Sequence, residues 1–161
     1  MASRIAGDLY VDGNVSSLTL GVPAGTITNA SVNAAAGIVA TKLVPQQTIT
    51  YGQAGSAVDA TVVVHCAQTA GTIAEFCVGS VVLAIGAAVV TVDLKKNGTT
   101  CLSAPITLDS ANTAYVAEDG TLTVTSYVAG DVLTIVVDET AGGGTAPTGL
   151  FASVSIREGA T

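Results

Sequence analysis

The Asn97-Gly98 pair, set between two β-prone runs in the stretch Val89–Leu108, restricts the fold of this chain more than any other feature. Val90, Thr91, Val92, Asp93 and Leu94 alternate apolar and polar, the period of a strand with one buried face. Asn and Gly both accept the positive φ that a two-residue type I′ turn demands, and Thr99–Leu102 can return as the second strand. A β-hairpin is therefore expected here, and with it a β domain. Composition points the same way. Apolar residues make up 49% of the chain, yet there are only four Tyr, two Phe and no Trp. The core must come from Val, Ile, Leu and Ala, with Thr, Ser and Gly around it, a mixture that favours strands and turns.

From Gln47 onward the pattern is β throughout. Strands are expected at Thr48–Tyr51, Ala57–Cys66, Thr72–Val78, Val81–Ile85, Ile106–Leu108, Tyr115–Val116, Thr121–Tyr127, Val132–Asp138 and Leu150–Arg157, besides the hairpin. In Ala57–Cys66 the alternation places Val58, Ala60, Val62, Val64 and Cys66 on one face and His65 on the other. Turns are read at Asp109–Asn112, Glu118-Asp119-Gly120, Ala129-Gly130-Asp131 and the Gly-rich stretch 141–149. Strands at such spacing predict an all-β, jelly-roll-like β-sandwich over residues 47–161. The uncharged run Phe76–Val92 is read as two buried strands joined near Gly86 rather than a membrane span, because it is Val-rich and flanked by Glu75 and Asp93.

Residues 1–46 differ in character. Short alternations such as Leu9 with Val11 and Leu18 with Leu20, split by Asp12-Gly13-Asn14, are too sparse for a core and suit an extended N-terminal arm. Gly25–Leu43 is the one helical candidate: Asn29, Ser31 or Asn33 can cap it, Ala34, Ala35, Ile38, Val39, Lys42 and Leu43 fall at helical spacing, and Pro45 stops it. So short a helix is marginal alone in water. It is expected to pack with copies of itself around a symmetry axis, or to lie singly on the β domain.

A formal net charge of −7 repels phosphate backbones, so no nucleic-acid partner is expected. Cys66, Cys77 and Cys101 have no C-x-x-C spacing and His65 is the single histidine, so no zinc site is expected. Cys66 and Cys77 could meet across a hairpin, but buried free thiols are the expectation. His65 lacks a nucleophile context and is read as a half-exposed strand residue; Asp131, Asp138 and Glu139 are read as solvated strand ends, and Lys95 and Lys96 as solvated beside the turn. Gly142–Gly144 lacks the Gly-Lys-Ser/Thr of a phosphate loop. No catalytic residue, metal or cofactor is predicted, and the chain is not expected to be an enzyme. Tyr51, Tyr115 and Tyr127 are the available aromatics for a weak glycan site. The N-terminus lacks the apolar core of a secretory signal, so synthesis in a cytosol is expected, with no membrane partner.

Two segments carry a family resemblance. Ile27-Thr28-Asn29-Ala30-x-Val32, followed by Ala36-x-Ile38-x-x-x-Lys42-Leu43, resembles a segment found in fibre and head-decoration proteins of tailed bacteriophages. Val92-Asp93-Leu94-x-Lys96-Asn97-Gly98-Thr99, Leu102-Ser103-x-Pro105-Ile106-Thr107-Leu108, Ala129-Gly130-Asp131-Val132-Leu133-Thr134-Ile135-x-Val137-Asp138 and the stretch before Gly149-Leu150 resemble, in order, a module of phage virion proteins. The resemblance implies a β-sandwich in a capsid decoration (cement), head-fibre or tail-associated protein, without enzyme activity.

The expected function is thus that of a structural virion protein on the capsid surface, bound to the major capsid protein and forming a homotrimer. The residues expected to touch the capsid or neighbouring subunits are Ile5, Leu9, Tyr10, Val11, Leu18 and Leu20 of the arm, with Ile27, Val32, Ile38, Val39 and Leu43 of the helix. The alternatives are a receptor- or glycan-binding module of a phage fibre or tail and, less well supported, a bacterial adhesin subunit.

Overall fold

The computed structural model describes residues 46–159. Among these the chain is all-β. β1 (Gln46–Ser56), β10 (Thr148–Glu158), β3 (Gly71–Val82) and β7 (Glu118–Asp119) form one antiparallel sheet in that order, with β8 (Ser126–Tyr127) also on β3. β2 (Ala60–Cys66), β9 (Val132–Thr140), β4 (Val89–Lys96) and β5 (Thr99–Thr100) form the second, with β6 (Ile106–Leu108) also on β4. The chain changes sheet at β1–β2, β2–β3 and β3–β4, and again on the way back through β9 and β10. This is the winding of a jelly roll, so the expected β-sandwich is present. The arm expected at the N-terminus and the helix expected over residues 25–43 fall outside the described residues.

Period-2 alternation builds the core. Phe76 and Val78 on β3 and Leu150, Ala152, Val154 and Ile156 on β10 face Val90, Val92 and Leu94 on β4 and Leu133, Ile135 and Val137 on β9, all buried. The Phe76–Val92 run is a strand, a loop turning at Gly86 (φ 69°) and a second strand. No helix among the described residues is long and apolar enough to cross a membrane.

Five expected elements change. Thr72–Val78 and Val81–Ile85 are not two strands: Gly71–Val82 is one strand, and Leu83–Ile85 lies in the loop after it. Glu118-Asp119, expected as a turn, pairs with β3 as the short strand β7. β2 starts at Ala60, leaving Val58 exposed, and the register slips between Val63 and His65. That bulge at Val64 adds one residue, which flips every later side chain to the other face. Cys66 therefore points to solvent and His65 becomes largely covered, the reverse of the simple alternation. Tyr115–Val116 is a loop rather than a strand, with Tyr115 at φ 63°. Thr121–Tyr127 is not one strand either: Ser103 and Thr123 bond it to the segment beyond β5, whereas Ile73 N–H donates to Thr125 O on the β3 side. A segment crossing between sheets cannot join a single ladder.

The hairpin forms as expected, with Asn97 at φ 50° and Gly98 at φ 83°. Asn97 does more than turn the chain. Its Nδ2 donates to Asp131 Oδ1 (2.7 Å) and its Oδ1 accepts from Val132 N–H (2.8 Å), clamping the hairpin to the turn before β9. Asp131 Oδ2 accepts from Val128 N–H at 2.9 Å, and Lys96 Nζ lies 3.8 Å away while donating to Ser126 O. Asp131 and Lys96 are thus structural ties, not the solvated groups expected. The Val128 N–H bond first, then the Asn97 amide and the Lys96 charge, hold the Asp131 carboxyl below its ordinary value of 3.8. A depressed folded-state pKa contributes stability that is present above the unfolded value and lost as pH falls through the folded one. Asp131→Asn is therefore expected to lower the Tm at neutral pH, and the gap from the parent should close as pH drops below 3.8. Thermal unfolding across pH checks this; a gap that stays constant in acid would rule out the ionised carboxylate as the cause.

Candidate functional site

The register places four connections at one end of the sandwich. They are the β1–β2 loop (57–59), the β3–β4 loop (83–88), the segment between β6 and β7 (109–117) and the β9–β10 loop (141–147). Gln46, the first described residue, lies at the other end, paired with Arg157. Five of the seven exposed large apolar residues among those described belong to the first end: Val58, Val82, Ile85, Tyr115 and Val116. Sheet spacing puts β1 and the Tyr115 segment about 14 Å apart across that end.

These loops are tied to the sheets and to one another. The Gln53 side chain clamps Val58 from both sides, donating to its carbonyl (2.9 Å) and accepting from its N–H (2.9 Å), while Ala57 N–H donates to Pro147 O. Ile85 and Thr145 exchange a pair of backbone bonds at 2.9 Å, joining two loops. Here Gly144 is required, because a Cβ would run into Ile85 O and lie 2.6 Å from Ala88 N. Asp109 and Asn112 cross-brace their loop: Ala111 N–H donates to Asp109 Oδ1 and Asp109 N–H to Asn112 Oδ1, both at 2.7 Å. Asn112 Nδ2 reaches Glu118 at 3.0 Å. Tyr115 N–H donates to Ser80 O, so the tyrosine is held in a left-handed backbone with its side chain 75% exposed. A non-glycine residue in that region costs about 1–2 kcal/mol. Apolar side chains on braced loops lose little freedom when a partner covers them, which suits recognition.

The three tyrosines considered for a glycan site separate. Tyr127 is buried, Tyr51 is half-buried with its hydroxyl accepting from Gln53 Nε2 (2.8 Å), and Tyr115 alone is exposed. At the opposite end His65 Nε2 lies 3.1 Å from Glu158 Oε1, and its ring meets Tyr127 edge-on at 5.5 Å. The contact joins β2 of one sheet to β10 of the other. Burial first, then the nearby Glu158 charge, raises the Tyr127 phenol above its ordinary value. The cysteines are free, but only Cys101 is buried, and burial pushes its thiol up. Among the described residues no group of three His, Cys, Asp or Glu side chains could hold a metal ion.

The expected contact residues of the arm and helix, Ile5 through Leu43, lie outside the described residues. The sequence did not mark out Val82, Ile85, or Val58 with the Gln53 that braces it, as exposed loop residues. Glycines at 86, 142, 143 and 149, all at positive φ, were the available signal that the loops carrying them turn tightly. No protein-family model and no curated protein sequence matches the chain.

Proposed function

We propose that this chain is a structural virion protein, a capsid decoration protein that binds the outside of a phage head as a trimer and stabilises it. The observation that carries this reading is the two-ended build of the sandwich. Residues 1–45 join it at Gln46, and the braced apolar loops sit at the far end. A module of this kind can be anchored through one end and present the other. The phage-like segments Ile27–Leu43 and Val92–Asp138 supply the viral setting. Three copies bound together would multiply a modest arm contact by avidity.

Deleting Met1–Leu20 is expected to abolish capsid association, measured by co-sedimentation with undecorated heads, while Tyr115→Ala leaves it unchanged. Heads still coated by the truncated protein would defeat the arm as anchor. Tyr115, exposed on a braced loop, favours one second reading, a receptor- or glycan-binding module of a fibre or tail. In that case Tyr115→Ala reduces host adsorption and the arm deletion does not reduce receptor binding.

A further inference from the structure

We propose that the hollow beside Phe151, on the outer face of the first sheet, is a binding site for a neutral glycan. The inference deepens the second reading given above, which stands on Tyr115 alone, and rests on it. Capsid binding through the arm is independent of it.

The site follows from register. Gly52 of β1, Phe151 of β10 and Gly79 of β3 stand side by side across the sheet, so the aromatic ring has a glycine on each flank. It leans onto one of them. A Cβ at Gly79 would run into the Phe151 ring and lie 2.6 Å from Val116 O. The ring thus fills the space that a side chain at 79 would take, beside the Val116 carbonyl, and stays half-buried. On the side toward β1, small residues leave a hollow of about 350 Å³, walled by Phe151 and Val81 over Gly52, Ala54 and Gly149. Its floor cannot be raised at Gly149, where φ is 70° and a Cβ would lie 2.8 Å from Val81 Cβ.

The rim selects the ligand. Two residues along the strands, about 7 Å from the ring, a polar row crosses the same face: Thr50 pairs with Ser153, Ser153 with Cys77, and Cys77 with Asp119. An aromatic ring beside hydroxyls and a carboxylate suits a ligand that carries both C–H faces and O–H groups. A sugar is such a ligand. Its C–H groups meet the negative face of the ring, and its hydroxyls donate to Asp119. The hollow has the size of a small-molecule site. No Lys or Arg among the described residues borders it: Lys95 and Lys96 belong to the second sheet, and Arg157 lies four residues beyond Ser153. An anionic sugar would find no counter-charge, so the ligand is neutral. Tyr115 extends the platform. Its N–H bond to Ser80 O puts it beside β3, two strand spacings or about 10 Å from β10, where the next sugar of a chain held on Phe151 can reach it.

Screening the full chain on an array of neutral hexose and N-acetylhexosamine oligosaccharides, with sialylated ones alongside, tests the reading, and titrating a sugar that binds tests the site. A neutral oligosaccharide is expected to bind. Phe151→Leu keeps apolar volume but has no ring, and is expected to weaken binding about tenfold. Ala54→Leu fills the hollow from an exposed strand position and is expected to abolish binding, with an unchanged circular-dichroism spectrum. Val63→Ala, exposed on β2 of the second sheet, should bind as the parent does. Binding that neither first-sheet variant weakens overturns this site and leaves the glycan reading standing. Binding of sialylated sugars alone overturns the neutral site, and no binding at all overturns the glycan reading with it. Should Phe151→Leu unfold, Ala54→Leu decides.

Discussion

Phe76→Ala is expected to lower the free energy of unfolding by about 3–5 kcal/mol, more than any other single truncation in this core. Phe76 is fully buried at the middle of β3, opposite Val154 of β10. Its carbonyl accepts from Gly120 N–H at 2.8 Å. A Cβ at Gly120 would lie 3.0 Å from Leu102 Cδ2 and 3.3 Å from both Ile106 Cδ1 and Phe76 Cδ1, so these side chains close tightly around the ring. Most of the surrounding core is Val, Leu, Ile and Ala, with Tyr127 the other buried aromatic. Short, branched side chains on fixed strands cannot fold into the space a ring leaves, so the cavity persists and adds to the lost transfer free energy. Phe76→Leu should recover most of the loss. Urea unfolding with an unchanged m-value would show that stability alone has moved. A cost below about 1.5 kcal/mol would mean that the core collapses into the gap, against the packing described.

Alternation carried most of this fold. Strands β4, β9 and β10 could be read because their inward sets are unbroken runs of apolar residues, and the two-residue turn at Asn97-Gly98 is written in local chemistry. β3 was expected as two strands, because an extra residue at Ala74 and the polar Ser80 interrupt its inward set. What could not be read depends on events that leave no periodic trace. The extra residue at Val64 reverses His65 and Cys66 without altering composition. The stretch from Thr121 to Tyr127 looks like a strand because it alternates, but it bonds first to one sheet and then to the other. Tyr115 takes a left-handed backbone that its residue type does not announce; its fixed place beside Ser80 decides it. The loops at the far end were each legible as polar or Gly-rich. Their convergence was not, because it is a property of the winding and not of any one segment.

Asn97→Ala is expected to cost about 2–3 kcal/mol, a large effect for a residue at a surface turn. Two separable losses contribute. Alanine at φ 50° meets the Cβ–carbonyl crowding that asparagine tolerates through its local polar contacts, at about 1 kcal/mol. The amide also leaves Asp131 without its 2.7 Å donor and Val132 N–H without its 2.8 Å acceptor, worth about 1–2 kcal/mol together after allowance for solvent. Asn97→Gly separates the two, because glycine accepts the backbone conformation but restores neither bond. It should recover about 1 kcal/mol and no more. The same logic predicts coupling across the clamp. In an Asp131→Ala background, Asn97→Ala should cost measurably less than in the parent, because one of its two partners is already gone. Equal costs in the two backgrounds would show that Asn97 acts through its backbone alone. The turn would then set the strand register of β4 without tying it to β9.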